Sequence, residues 1–142
     1  MLKIIDIGIE NATAFCISGK ITKADISIVL SHAKEKTKRY GSIVIYEEIQ
    51  NFRGIELLAV IEEFKYLFKM GLSNISKVAV VTDKKWIMKV ASLEAKIFRN
   101  IEIRCFQLNE KSLAIEFLKK AKQYPFPQSL WITLRTTWLN EG

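Results

Sequence analysis

The sequence predicts an α/β fold with a mainly parallel central sheet. Three observations carry this. Short apolar runs alternate with segments of helical periodicity. The run Lys77-Val-Ala-Val-Val-Thr82 is apolar throughout, as a strand covered on both faces requires. The first two runs are separated only by Glu10-Asn11, which suits a tight turn and so an N-terminal β-hairpin. The expected order is β-β-α-β-α-β-α-β-α, with about four helices and right-handed crossovers.

Residues 3–9 and 12–18 form the predicted hairpin. Thr22-Lys-Ala-Asp25 has the spacing of a capping box, with Asp in place of the usual Glu or Gln. The helix it opens groups Ile26, Val29, Leu30 and Ala33 on one face, and Gly41 supplies its stop. Its basic end, Lys34 to Arg39, complements the helix dipole and needs no phosphate to explain it.

A strand at 42–48 leads into the stretch that organises the reading, Ile43 to Lys69. A helix from about Ile55 to Lys69 carries a wide apolar arc of Leu57, Leu58, Ile61, Phe64, Leu67 and Phe68, closed by Gly71. After the 77–82 strand, Asp83 is placed to cap a helix bearing Trp86, Ile87, Val90, Leu93 and Ile97. Ile101 to Leu108 is the last strand. Asn109 is placed to cap a final helix with Leu113, Phe117 and Leu118. Pro125-Phe-Pro127 breaks the pattern, so 1–122 reads as the domain and 123–142 as an extension. That extension holds Trp131 and Trp138, suited either to fold back over the core or to touch a partner or membrane surface.

The 142 residues suit one domain. The net charge of +7 is compatible with an ordinary solvated surface. No RNP-like strand or G-x-x-G clamp accompanies the basic residues, so nucleic-acid binding is not expected. No apolar stretch is long and charge-free enough to span a bilayer. Met1 to Asp6 acquires an acid at once, so no signal peptide is expected. Cys16 and Cys105 each lie in an apolar run outside any C-x-x-C pair, and read as reduced thiols of a cytoplasmic protein.

Catalytic signals are sparse. His32 is the single histidine, so no multi-histidine metal site can form, and no metal or cofactor is expected. Dinucleotide, P-loop and nucleophile-elbow motifs are absent from the sequence. Glu47 and Glu48 fall on opposite faces of a strand, and Glu62 and Glu63 about 100° apart on a helix, so neither is a catalytic pair. Arg53 is the more informative charge. It stands between Phe52 and Gly54 just before a helix, where it can hold an anion or pair with Glu47 or Glu56.

Gly19-Lys20-Ile21-Thr22-Lys23-Ala24-Asp25, Phe52-Arg53-Gly54-Ile55-Glu56-Leu57 and Val78-Ala79-Val80-Val81-Thr82-Asp83-Lys84-Lys85-Trp86, in that order, resemble the SpoIIAA-like family of STAS-type domains. The resemblance covers roughly residues 1–120, a single-domain length. It implies a compact α/β fold related to STAS and CRAL-TRIO-like domains, whose members include protein-regulating and lipid-binding modules. Family patterns often place Trp where Ile55 stands and an aromatic near Ile61; neither is present here. The segment 51–56 offers no serine, so a phospho-switch is not implied.

The expectation is a non-catalytic binding or regulatory module, not an enzyme. Its ligand zone lies at the end of the third strand: Glu47, Phe52, Arg53, Glu56, Leu57, Leu58 and Ile61. Arg53 there orients the acidic head group of a small apolar or lipid-like ligand. The alternative is a protein-interaction module docking through the 51–56 loop and the tail with Trp131 and Trp138, or peripheral association with a membrane. Homodimerisation stays open.

Overall fold

The computed structural model describes residues 1–52, 74–97 and 101–120. The expected 55–69 helix and the 123–142 extension lie outside these residues. Five strands form one sheet: β1 (Leu2–Ile4), β2 (Ala12–Gly19), β3 (Ile43–Phe52), β4 (Ile75–Thr82) and β5 (Glu102–Phe106). Their spatial order is β1-β2-β3-β4-β5. β1 runs antiparallel to β2 and every other pair is parallel. The predicted α/β architecture with an N-terminal hairpin is therefore the observed one. β1 is shorter than the run that predicts it, although Ile5 N–H still reaches Ala14 O at 2.9 Å.

Three helices are described: α1 (Lys23–Tyr40), α2 (Lys85–Ile97) and α3 (Lys111–Lys119). The capping box that opens α1 is formed, with Asp25 N–H donating to Thr22 Oγ1 at 3.2 Å and Thr22 N–H to Asp25 Oδ2 at 2.9 Å. Gly41 ends the helix at φ +84°, its N–H on Thr37 O at 2.8 Å. Two other predicted caps are corrected. Asp83 Oδ1 accepts Leu108 N–H at 3.0 Å, tying the end of β4 to the exit of β5. Asn109 lies inside a short 3-10 turn, Leu108–Glu110, whose Gln107 N–H meets Glu110 Oε1 at 2.9 Å. In both places a long-range or local turn bond competes with capping for the same side-chain oxygens and backbone donors.

The strands step across the sheet in one direction, so right-handed crossovers place the connecting helices on one face. Ile26, Val29 and Ala33 of α1 and Ile87 and Ala91 of α2 accordingly share a core with Phe15, Ile17, Ile45, Ile49 and Val80. α3 follows the last strand and covers the other face. Its Ala114, Phe117 and Leu118 pack on Ala12, Ala14, Val44, Tyr46, Ala79 and Val81. Two expected core residues stand instead toward solvent: Leu113 is 50% exposed and Trp86 37%. In each helix other positions take the buried places, Ile87 and Ala91 on α2 and Ala114, Phe117 and Leu118 on α3.

α3 runs antiparallel to the parallel strands. Its first residue, Lys111, reaches Glu48 late in β3, and its Phe117 carbonyl meets Lys77 early in β4. One face of the sheet thus carries a polar clamp at each end of a single short helix.

Candidate functional site

Period-two alternation along β3 sends Ile43, Ile45 and Ile49 to the α1/α2 face and Val44, Tyr46 and Glu48 to the α3 face. Glu48 is only 5% exposed. A buried carboxylate is tolerated when its lone pairs are satisfied. Here both oxygens are doubly engaged. Oε1 accepts the Tyr46 hydroxyl at 2.8 Å and stands 3.3 Å from Lys111 Nζ. Oε2 accepts Gln50 Nε2 at 2.6 Å and the Cys16 thiol at 3.3 Å. Cys16 is directly opposite Glu48 in the β2–β3 register, so the sheet itself fixes this pair.

Burial pushes the Glu48 carboxyl upward, but the hydrogen bonds from Tyr46, Gln50, Cys16 and Lys111 outweigh it and hold the group below the ordinary carboxylate range. The thiol responds oppositely. Burial, then the hydrogen bond to Glu48 and its negative charge, push Cys16 up to about 11. The same causes push the Tyr46 phenol upward. At neutral pH the cluster is one anion surrounded by protonated donors. A general base needs a free lone pair and a pKa near the working pH; Glu48 has neither. A nucleophilic thiol needs a lowered pKa; Cys16 has a raised one. Among the described residues the arrangement holds strands and helix together and offers no acid–base pair.

Glu47, one residue earlier, points to the opposite face, paired in register with Phe15 and Val80. The two acids diverge, as the alternation requires. Phe52 is the last residue of β3 and pairs with Gly19. Arg53, Glu56, Leu57, Leu58 and Ile61, with Trp131 and Trp138, lie outside the described residues. Of the expected ligand zone, only Glu47 and the backbone of Phe52 are therefore placed. β3 extends past its last pairing with β4, Ile49 with Thr82, and so carries Asn51 and Phe52 to the carboxyl edge of the sheet. His32 sits on α1 with Nδ1 3.2 Å from the buried Thr13 hydroxyl, a structural contact.

Sequence reasoning missed the Cys16–Tyr46–Glu48–Gln50–Lys111 cluster. One signal was present: Tyr46, Glu48 and Gln50 recur at every second residue of β3. Among the described residues no group of three His, Cys, Asp or Glu side chains is placed to hold a metal ion. Among the same residues no helix is long and apolar enough to cross a membrane.

Among the described residues, a five-stranded sheet with an antiparallel first strand, two helices on one face and one on the other is consistent with a STAS-type α/β domain. The sequence profile described as SpoIIAA-like matches residues 12–119, and the chain belongs to that family. No curated protein and no solved structure matches the chain. Domains of this kind are generally regulatory or interaction modules and generally non-catalytic.

Proposed function

We propose that the protein is a non-catalytic binding or regulatory module that engages its ligand at the carboxyl edge of β3. The observation that supports this reading is the overrun of β3 beyond β4, which carries Asn51 and Phe52 to the carboxyl edge of the sheet, the edge at which open α/β sheets take ligands; Arg53 is the next residue in the sequence. The favoured ligand is small, apolar or lipid-like, with an acidic head group. Phe52, Leu57, Leu58 and Ile61 would wall the site, Arg53 would orient the head group, and Glu47 and Glu56 would flank it. The committed state of Glu48 supports a binding role over catalysis. Residues 1–122 form the working domain in this reading, in a cytoplasmic protein, with 123–142 as an appended contact segment.

Displacement of a fluorescent apolar probe tests it. Saturable probe binding that weakens at least fivefold in both Arg53→Ala and Leu58→Ser variants supports a ligand site. Probe binding indifferent to both changes contradicts it. The second reading is docking of a protein partner through the 51–56 loop and the tail, favoured by the presence of Trp131 and Trp138 in the tail sequence. Loss of a partner on Trp131→Ala or Trp138→Ala with probe binding intact selects that reading.

A further inference from the structure

The opposite edge of the sheet holds a second feature. A cleft of about 370 Å³ lies between the β1–β2 turn and the C-terminal end of α3. Small-molecule sites begin at about 300 Å³, so this space admits a molecule larger than a lone ion. Its floor is the start of β3 and β4 at Val44, Ser76 and Lys77, and its rim includes Asn11, Lys119 and Lys120. Three of the lining residues are lysines and none is an acid.

Lys77 is 3% exposed. Its Nζ donates to Phe117 O at 2.8 Å and lies 4.5 Å from the Phe117 ring centroid. Its nearest carboxylate oxygen, Glu102 Oε2, is 3.9 Å away, beyond hydrogen-bond reach. The Arg104 guanidinium is 5.2 Å from the same Phe117 ring centroid. Burial, with the neighbouring positive charges of Arg104 and Lys120, holds Lys77 below the ordinary lysine range despite Glu102. Among the described residues one carboxylate, Glu102, stands 3.9 Å from both Lys77 Nζ and Arg104, so the two cations share a single acid.

A helix C-terminus ordinarily repels anions through its bare carbonyls. At the end of α3 two of these carbonyls are occupied. Phe117 O accepts Lys77, and Glu116 O accepts the Lys120 backbone N–H at 3.2 Å. Lys119 and Lys120 are exposed, so their ammonium groups are free to swing over the opening. We infer that this cleft binds a small water-soluble molecule bearing an oxyanion, a phosphate or a carboxylate. Lys119 and Lys120 grip the head group, and Lys77 supplies a fixed positive charge beneath it. The site is separate from the carboxyl-edge zone and does not depend on it, because it lies at the amino ends of the strands.

Amide chemical-shift titration of the full-length protein tests the inference, using inorganic phosphate and succinate separately at constant ionic strength. The expected result is saturable shifts at Gly8, Asn11, Ser76 and Lys120. The Lys119→Ala/Lys120→Ala double variant should weaken binding at least tenfold with an unchanged melting curve, while Lys34→Ala/Lys38→Ala should leave it intact. Saturation by phosphate alone assigns a phosphoryl ligand, by succinate alone a carboxylate, and by both a general oxyanion site. Non-saturating shifts scattered over surface lysines, or binding that survives the Lys119/Lys120 change, overturn it.

Discussion

Replacing Glu48 by Gln removes one charge and one pair of acceptor lone pairs while keeping shape. The wild-type carboxylate receives Tyr46, Gln50, Cys16 and Lys111 at 2.6–3.3 Å. A glutamine presents one acceptor oxygen and an NH₂ that faces donors. The Tyr46 hydroxyl and the Cys16 thiol can turn to accept, but Gln50 Nε2 or Lys111 Nζ cannot. Hydrogen bonds to a charged group contribute about 1.5–3 kcal/mol each, and an orphaned buried donor costs about 1–3 kcal/mol. Lys111 is 47% exposed and regains water, which limits the loss on its side. The net expectation is a destabilisation of about 2–4 kcal/mol, or roughly 8–15 °C in Tm for a domain of this size. Urea denaturation at pH 7 measures it. The companion Lys111→Met change should cost less than about 1 kcal/mol, since an exposed partner contributes little. A Glu48→Gln protein within about 0.5 kcal/mol of wild type would refute the claim that this buried network stabilises the fold.

The same network sets three further expectations, and the local backbone a fourth. Glu48 titrates below its ordinary 4.5 in the folded protein, so its contribution is full above that value and is lost as pH falls through the lower folded pKa. Wild type should therefore lose stability in acid more steeply than Glu48→Gln, read from denaturation midpoints between pH 5 and the acid transition; parallel curves would contradict this. Cys16, raised from 9.0 to about 11, should react with iodoacetamide at pH 8 about a hundredfold more slowly than a free thiol, in a Cys105→Ser background. A rate within threefold of the free thiol would show that Glu48 and burial do not protect it. Because its folded pKa is raised, the thiol's contribution to stability is complete below pH 9 and declines as pH rises through about 11. Thr22→Ala, which removes the cap seen at 3.2 Å, should cost about 1 kcal/mol in thermal melts, and no loss would mean the box is idle.

Much of the fold could be read in the residues because periodicity reports directly on local geometry. The hairpin, the α1 capping box, the Gly41 stop and the doubly covered β4 each follow from a few neighbouring side chains. The opposite orientation of Glu47 and Glu48 follows from strand alternation in the same way. What was not legible depends on distant partners. Asp83 has the look of a helix cap in its own neighbourhood, yet it serves Leu108, 25 positions away. Glu48 has the look of a strand-end acid, and nothing nearby announces that Cys16 lies across from it or that Lys111 will return over it. Lys77 lies early in an apolar strand, and its burial becomes intelligible only once α3 brings the Phe117 carbonyl to it. Leu113 and Trp86 show the converse limit: an apolar side chain at helical spacing reaches the core only if the helix rotates that far, and other positions on each helix take the buried places instead.

The central claim, a binding module with its ligand at the carboxyl edge of β3, is tested most directly by native mass spectrometry of the purified protein followed by denaturation and lipid extraction. The account predicts a co-purified small molecule with an acidic head group, present in wild type and lost in Arg53→Ala. A clean unliganded mass for wild type, or a ligand retained unchanged in Arg53→Ala, would contradict it.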